Sequence, residues 1–303
     1  MSLLVTGWVA LDDIETPFER REAVLGGSAT SAAVAASLFT DVRLLAAIGP
    51  DFPERYRVAL EDAGIDIAGL TMVEGRTSRW GGSYHYDMNI RDTVYTEVGV
   101  SDGWRPEFPP GWERSSTAFL AAGDPIVQRE TLGHLANPLA TMVDTIRLYI
   151  DNARAELDAT FGAADFVCLN DGEARELAGS PSVATATRKL LGLGIKGAAV
   201  KLGEYGAVFA SGEDYFAAAG YPLELVVDPT GAGDAFAGAF MGFVDAAGNT
   251  SAETLRRATV YGCTVASYAV EGFGPERLLS LKREEVEARY REIRSLTIVG
   301  TGD

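Results

Sequence analysis

Residues 228–240 read DPTGAGDAFAGAF, a glycine-rich turn that runs directly into small and apolar residues. This composition predicts a buried helix that begins inside the turn, with Asp234 in its first turn. Gly231, Ala232 and Gly233 leave room for an anion beside the unpaired amides of such a helix start. Asp234 is then either a helix cap or a carboxylate used in chemistry, and the same amides are expected to keep it ionised.

The rest of the chain alternates short apolar runs with helical patterns. Strands are predicted at 3–7, 42–49, 117–123, 164–170, 197–203 and 223–228, and helices at 28–39, 52–64, 171–178 and 184–194. This alternation predicts an α/β fold with a mostly parallel sheet covered on both faces. Ligands of such sheets bind beyond the carboxyl ends of the strands. Asp234, Asn170 and Gly203 each follow a predicted strand and are expected to meet there.

The segment 77–100 has a different pattern. Aromatic, glycine and β-branched residues alternate on both sides of the polar turn NIRD (89–92), which predicts an antiparallel hairpin. Such an insertion is either a small lid sheet or a peripheral hairpin without function.

Composition narrows the function classes. The formal net charge is −17, which argues against affinity for nucleic acid or an anionic membrane. The chain has no run of 18 apolar residues, and its start lacks the basic and apolar regions of a signal peptide, so a cytoplasmic protein is expected. Two cysteines and two histidines, far apart in sequence, give no zinc motif.

Two familiar nucleotide motifs do not match. A dinucleotide fingerprint needs a third glycine where Phe236 stands, which disfavours a dinucleotide-dependent oxidoreductase. A phosphate loop needs a glycine followed by lysine, and the sequence has no such pair.

Residues 228–240 closely resemble the C-terminal signature of the ribokinase-like (PfkB) family of carbohydrate and nucleoside kinases. GGSATSAAVAAS (26–37) resembles the family's N-terminal glycine-pair signature, and NDGEARELAG (170–179) its N-x-x-E motif, in the family's order. The resemblance implies one ribokinase-like domain over 1–303, with a three-layer α/β/α core. It also implies a small β-sheet lid formed by roughly 12–25 and 77–100.

On the phosphate side, the resemblance implies that Asp234 is the general base. Gly231, Ala232 and Gly233, with the Asp234 amide, would form the anion hole for the transferred phosphoryl group. Phosphoryl transfer suits a positioned carboxylate, because its loose transition state asks mainly for positioning and late proton removal.

The resemblance also implies the cofactors ATP and Mg²⁺. Asn170 and Glu173 would organise Mg²⁺ through water, and their i, i+3 spacing places both on one face of a first helical turn. The same pair is also expected of a capping box, which needs no metal. The resemblance implies that the nucleotide is contacted by Lys201, Gly203 and Gly206. Asp228 and Thr230 resemble the family's K⁺ site, and ordinary turn chemistry is the alternative for these two residues.

On the acceptor side, Asp12 matches the family's aspartate that binds two sugar hydroxyls, with Asp13 as the competing candidate. Gly26 and Gly27 would let the acceptor lie against backbone. Ser31 stands where the ribokinase pattern has an asparagine. Ala10 stands where the pattern has a second asparagine. The loss of both amide side chains puts free ribose in doubt as the acceptor.

Three aromatic residues of the hairpin, Trp80, Tyr84 and Tyr86, would either stack on a nucleobase or serve only as packing. The leading hypothesis is an ATP-dependent phosphotransferase acting on a primary hydroxyl of a nucleoside such as adenosine. The alternatives are a kinase of a free sugar or sugar derivative (ketose, sugar acid or inositol) and a non-catalytic ligand sensor. A homodimer through the lid sheet is also expected from the family.

Overall fold

The computed structural model describes residues 1–298. The strands are β1 Ser2–Thr6, β2 Ala10–Glu15, β3 Arg20–Gly26, β4 Asp41–Ile48, β5 Ile65–Met72, β6 Ser78–Tyr84, β7 Arg91–Glu97, β8 Thr117–Leu120, β9 Ala140–Asp144, β10 Phe166–Asn170, β11 Gly197–Lys201, β12 Gly206–Ser211 and β13 Asp214–Ala219. The helices are α1 Ser28–Ser37, α2 Glu54–Asp62, α3 Pro125–His134, α4 Arg147–Asn152, α5 Arg154–Phe161, α6 Asp171–Ala178, α7 Val183–Leu191, α8 Ala232–Ala247, α9 Ala252–Ala269, α10 Glu276–Leu279 and α11 Arg283–Ser295.

A nine-stranded sheet in the order β13-β12-β11-β10-β9-β8-β1-β4-β5 forms the centre of the molecule. The strands from β11 to β5 are parallel, and β12 and β13 add an antiparallel edge. Successive residues of β1 face opposite cores, because Leu3 and Val5 belong to one apolar cluster and Leu4 to the other. The predicted three-layer α/β/α core with a mostly parallel sheet is confirmed.

Helices α1, α8 and α9 pack together on one side of the large sheet. Close contact between α1 and α8 depends on two glycines. A Cβ atom on Gly238 would lie 2.1 Å from the Ala32 carbonyl oxygen, and one on Gly242 would lie 2.9 Å from that of Ala36. This contact fixes the position of the amino-terminal end of α8, which carries Asp234. Within residues 1–298, no helix is both long and apolar enough to cross a bilayer.

A separate four-stranded sheet, the small sheet, has the order β3-β2-β6-β7. The hairpin predicted at 77–100 is confirmed as β6 and β7, which pair in antiparallel fashion. β2 pairs in parallel with β6 so that Asp12 stands beside Trp80. The two side chains therefore belong to the same face of the small sheet.

The strand predicted at 223–228 does not form. The amides of Val227 and Asp228 donate instead to the carbonyl oxygen of Val270, at the end of α9. Leu225 is 66% exposed, so the apolar run is not buried as a strand of the core would be. The backbone of this segment is thus bonded by the end of a helix rather than by the sheet.

Candidate functional site

The predicted phosphate-side residues meet at the carboxyl ends of the central strands. Asn170 ends β10 and Lys201 ends β11, and the two are register partners. The Lys201 ammonium lies 3.1 Å from where a Cβ atom of Gly233 would be. The segment that precedes Asp234 is irregular, so the prediction that Asp234 follows a strand at 223–228 was wrong.

Asp234 lies in the first turn of α8, which begins after Gly231 in the left-handed region (φ 76°). Within residues 1–298, its carboxylate accepts no hydrogen bond and does not cap the helix. Burial raises its pKa to about 7, and the negative charge of Asp144 adds to the shift against the opposing effect of Lys201. The amides of the turn, which were expected to keep this carboxylate ionised, make no capping hydrogen bond to a side chain.

The backbone of the glycine turn offers fewer donors than the predicted anion hole. The Ala232 amide donates to the Pro229 carbonyl oxygen at 3.2 Å. The amides of Gly231, Gly233 and Asp234 have no acceptor among residues 1–298. Three of the four predicted donors are thus available to a bound anion.

Lys201 forms a buried ion pair with Asp144, a residue that the sequence did not single out. Its Nζ lies 2.7 Å from Asp144 Oδ2, and the two side chains are 15% and 3% exposed. Although burial opposes the charged form, the Asp144 carboxylate raises the pKa of Lys201. A permanent cation therefore lies beside the glycine turn, where it can attract phosphate oxygens.

Asn170 and Glu173 form the capping box that was the alternative to a metal role. Asn170 Oδ1 accepts from the Glu173 amide at 2.8 Å, and Glu173 Oε2 accepts from the Asn170 amide at 2.9 Å. Glu173 Oε1 keeps no partner within residues 1–298. Burial and the charge of Asp144 raise the pKa of Glu173 to about 7.

These oxygens fit a water-mediated Mg²⁺ ion better than a direct one. Carboxylate and amide oxygens suit Mg²⁺, and one oxygen of Glu173 is not used by the capping box. Within residues 1–298, however, no three His, Cys, Asp or Glu side chains are grouped as metal ligands. Mg²⁺ at this place would rely on nucleotide phosphates and water for its other ligands.

Asp228 is fully buried and holds the turn before α8. Its Oδ1 accepts from the Thr230 amide at 2.8 Å, and its Oδ2 accepts from the Gly274 amide at 3.0 Å. Both carboxylate oxygens thus have turn partners. The Thr230 side chain is bonded to the small sheet, since its hydroxyl lies 2.9 Å from that of Tyr84.

On the acceptor side, Asp12 is 4% exposed and ends in an unpaired oxygen. Its Oδ2 accepts from the Gly27 amide at 3.4 Å, whereas Oδ1 has no partner within residues 1–298. Burial raises its pKa to about 7. A Cβ atom on Gly26 would lie 2.0 Å from Asp12 Oδ2, so only glycine fits there.

Asp13 and Ser31 have different environments. Both carboxylate oxygens of Asp13 are used within the small sheet, by the Tyr95 hydroxyl and the Ala23 amide. Ser31 is buried in α1, and its Oγ lies 2.4 Å from where a Cβ atom of Gly231 would be. Ser31 therefore lies directly against the phosphate-side turn, in the helix that follows the glycine pair.

The three hairpin aromatic residues separate. Tyr84 is buried and bonded to Thr230, whereas Tyr86 is 84% exposed and packs edge-on against Phe18. Trp80 is half-buried and lies on the Asp12 face, with the Arg91 guanidinium 5.2 Å from its ring centre. Of the three, only Trp80 is both partly accessible and on the face of Asp12.

Arg91 is a second residue that the sequence did not single out. Its Nη1 lies 3.5 Å from the Tyr84 hydroxyl, which is itself bonded to Thr230 at the start of the glycine turn. Although burial opposes its charged form, the contact with Tyr84 and then the negative charges of Asp234 and Glu173 raise the pKa of Arg91. Arg91 belongs to the sequence NIRD, which was predicted as a polar turn, but it is the first residue of β7. No local signal in the sequence marked it.

Two predicted nucleotide-contacting glycines differ in their surroundings. A Cβ atom on Gly206 (φ 104°) would lie 2.1 Å from the Ala218 carbonyl oxygen, so the pairing of β12 with β13 explains this glycine. Gly203 (φ 60°) faces the hairpin turn, because a Cβ atom there would lie 2.7 Å from Asn89 Oδ1. Asn89 Nδ2 also donates to Glu204 Oε1 at 3.0 Å.

Known proteins share both the sequence and the fold. The model of the pfkB family carbohydrate kinases matches residues 115–278. A cytidine kinase of Thermococcus kodakarensis is 31% identical over 246 residues, which cover 80% of this chain and 87% of that protein. A nucleoside kinase of Methanothermobacter thermautotrophicus is 28% identical over 260 residues, which cover 79% and 81% respectively.

A crystal structure has the same architecture. The nucleoside kinase of Methanocaldococcus jannaschii, an archaeal member of the ribokinase family, aligns with a TM-score of 0.77. The alignment covers 96% of this chain and 98% of that one at 19% identity, and it therefore shows a common fold.

Proposed function

Because the chain belongs to the pfkB family of carbohydrate kinases, we propose that it transfers the γ-phosphoryl group of ATP to a primary hydroxyl of a nucleoside. Both relatives described above carry nucleoside kinase names, which supports a nucleoside over a free sugar. The observation that carries the proposal is a pair of carboxylates with raised pKa values: Asp12, whose buried Oδ1 has no partner among the described residues, and Asp234, which is not used as a helix cap.

Asp12 binds the acceptor. Its Oδ1 accepts from one or both hydroxyls of a vicinal diol, such as the 2′ and 3′ hydroxyls of a ribose. These hydrogen bonds replace the water that burial removed, and they favour the ionised form of Asp12. Gly26 and Gly27 let the sugar approach the backbone closely. Asp12 thereby fixes the distance between the sugar and the phosphate-side turn.

Asp234 acts as the general base. Its carboxylate is not used as a cap, and a pKa near 7 matches a base that works at neutral pH. As the acceptor oxygen bonds to the γ-phosphorus and the bond to the ADP oxygen breaks, Asp234 takes the hydroxyl proton. A positioned base of this kind supplies about 10²–10⁴ in rate.

The transferred group is stabilised by the amides of Gly231, Gly233 and Asp234 and by the cation of Lys201. These donors are fixed before the reaction, so no reorganisation is needed when charge moves onto the phosphoryl oxygens. Asn170 and Glu173 would hold Mg²⁺ through water, and the ion would neutralise charge on the nucleotide phosphates. Arg91 approaches the same place from the small sheet.

The test is release of ADP from Mg·ATP across a panel of nucleosides and sugars, with and without K⁺, followed by identification of the phosphorylated hydroxyl. Turnover of nucleosides to 5′-phosphates is the expected result. Turnover confined to a ketose, sugar acid or inositol would replace the nucleoside with a free sugar. Binding of ligands without any turnover would instead identify a sensor.

A further inference from the structure

A small cavity lies next to the acceptor side, between the carboxyl ends of the paired strands β1 and β8. Its volume is about 20 Å³, room for a single water-sized group. Two tryptophans, Trp8 and Trp104, line it together with Thr6, Asp124 and Gln128. None of these residues has a part in the phosphate-side chemistry.

One of the residues that line the cavity, Gln128, has a side-chain oxygen without a hydrogen-bond donor. Its Nε2 donates to three backbone carbonyl oxygens, those of Leu120, Ala121 and Asp144, at 3.2, 2.9 and 2.9 Å. These acceptors fix the orientation of the amide, because its oxygen could not occupy the same place. Gln128 Oε1 is buried and has no donor within residues 1–298.

Thr6 adds a second unpaired group. Its Oγ1 is buried without a partner among residues 1–298, and the side chain is 1% exposed. A buried polar atom without a partner destabilises the folded protein, because its hydrogen bonds to water are lost and not replaced. Gln128 Oε1 can only accept a hydrogen bond, and the Thr6 hydroxyl can accept as well as donate, so a ligand group with two donors would satisfy both. Asp124 also lines the cavity, and its Oδ1 accepts from the Ile126 amide at the start of α3.

The cavity and the Asp12 site have a common wall. Trp8 precedes Asp12 by four residues, and its amide donates to Ser28 Oγ at 3.2 Å, beside the glycine pair. A Cβ atom on Gly27 would lie 2.4 Å from the Trp8 carbonyl oxygen. A sugar bound by Asp12 and Gly27 would therefore lie close to the Trp8 backbone.

We propose that this cavity, the amino pocket, receives the exocyclic amino group of a nucleobase whose ring lies against Trp8 and Trp104. The inference rests on the proposed nucleoside kinase function. One N–H donates to Gln128 Oε1 and the other to Thr6 Oγ1. A carbonyl oxygen at the same position would face the lone pairs of Gln128 Oε1. The pocket thus selects cytidine over uridine and adenosine over inosine.

The first test uses the wild-type protein and three pyrimidine ribosides that differ only at position 4. Cytidine carries an amino group, uridine a carbonyl oxygen, and the pyrimidin-2-one riboside neither. The expected order of kcat/KM is cytidine, then the unsubstituted riboside, then uridine, with about 10²-fold or more between the first and last. Equal values for the three would overturn the amino pocket while leaving the nucleoside kinase intact.

The second test uses variants of the pocket. Thr6→Val keeps the shape of the side chain and removes its hydroxyl, so the ratio of cytidine to uridine is expected to fall about tenfold, with little change for uridine. Trp104→Phe is expected to raise KM for all nucleosides. Trp112→Phe, a buried tryptophan of the second apolar cluster, is the control and should leave KM unchanged.

The outcomes separate the two proposals. An equal loss with every nucleoside in Thr6→Val would show that Thr6 is only structural, and it would overturn the pocket. If Thr6→Val does not fold, the wild-type series at position 4 decides alone. Failure to phosphorylate any nucleoside would contradict the proposed function itself.

Discussion

The hydroxyl of Tyr84 lies 2.9 Å from Thr230 Oγ1, and this bond joins the small sheet to the turn that begins α8. Tyr84 is buried, so the contact is shielded from water. The bond holds β7, which follows in the hairpin, against the phosphate side. Arg91, at the start of β7, lies near the carboxylates of Asp234 and Glu173. Lys201 is the other cation whose positive charge acts on these carboxylates.

Arg91 is expected to act on the phosphoryl group. Arg91→Met should lower kcat about 10- to 10³-fold with a smaller effect on the KM for the acceptor, because a cation that stabilises the transition state is lost. Arg91→Lys should recover part of kcat. Steady-state kinetics with both substrates varied provides the measurement.

The control for this variant is Arg20→Met. Arg20 also lies on the small sheet, but it is paired with Glu22 at the surface, and its loss should leave kcat near the wild-type value. If Arg91→Met keeps wild-type kcat, the arginine serves only to pack against Trp80.

Asp234→Asn is expected to lose about 10²–10⁴ in kcat while still binding ATP, since the amide cannot take the hydroxyl proton. The matched control is Asp245→Asn, in the same helix. Asp245 is buried and accepts from the hydroxyls of Ser116 and Thr117. That variant should lower the Tm but not kcat. Near wild-type turnover of Asp234→Asn would exclude the general base.

Glu173→Gln separates the metal role from the capping box. Glutamine at this position still accepts from the Asn170 amide, so the Tm should stay the same or rise. The Mg²⁺ concentration for half-maximal activity should increase about 10-fold or more, because charge near the ion is lost. Glu176→Gln, exposed on the same helix, is the control. An unchanged Mg²⁺ dependence would leave Glu173 as a cap only.

The stability of the ligand-free protein is expected to depend on pH through Asp12. Its pKa in the folded protein, about 7, is above the ordinary aspartate value of 3.8. The contribution of Asp12 is thus fully present below about pH 4 and is lost as pH rises through 7. Asp12→Asn should be more stable than wild type at pH 7.5, by on the order of 2 kcal/mol. Thermal unfolding from pH 5 to 8 measures the difference.

Asp13 provides a control of opposite sign. Despite its partial burial, hydrogen bonds from Tyr95 and Ala23 lower its pKa. Asp13 thus contributes stability that is present above its unfolded pKa and lost as pH falls. Asp13→Asn should be less stable than wild type at pH 7.5. A lower Tm for both variants at this pH would contradict the destabilising role of ionised Asp12.

The parts of the site that could be predicted are contiguous in sequence. The glycine turn before Asp234 and the N-x-x-E pair each occupy a few successive residues. The residue types within each segment are therefore enough to predict its chemistry. Asp144 and Arg91 could not be found this way. Each acquires its partners through sheet pairing, which brings Asp144 to Lys201 and Arg91 to Tyr84.

The same limit applies to the fold. Alternating apolar runs identified most strands of the large sheet, because burial on both faces leaves a strong local pattern. The run 223–228 has that pattern and is not a strand, since its backbone bonds to the end of α9. The raised pKa of Asp234 could not be predicted from the sequence either. Its environment depends on the packing of α1 against α8, which Gly238 makes possible.

We expect the hydrogen bond from Asn89 to Glu204 to act as one common gate for the two substrates. The hairpin turn that carries Asn89 rests on the loop beside Gly203, while the strands behind it cover Asp12. A movement of this turn would then expose the nucleotide side and the acceptor side together. We therefore expect ADP and the phosphorylated nucleoside to be released at similar rates, which are limited by how often the exposed hydrogen bond between Asn89 and Glu204 breaks.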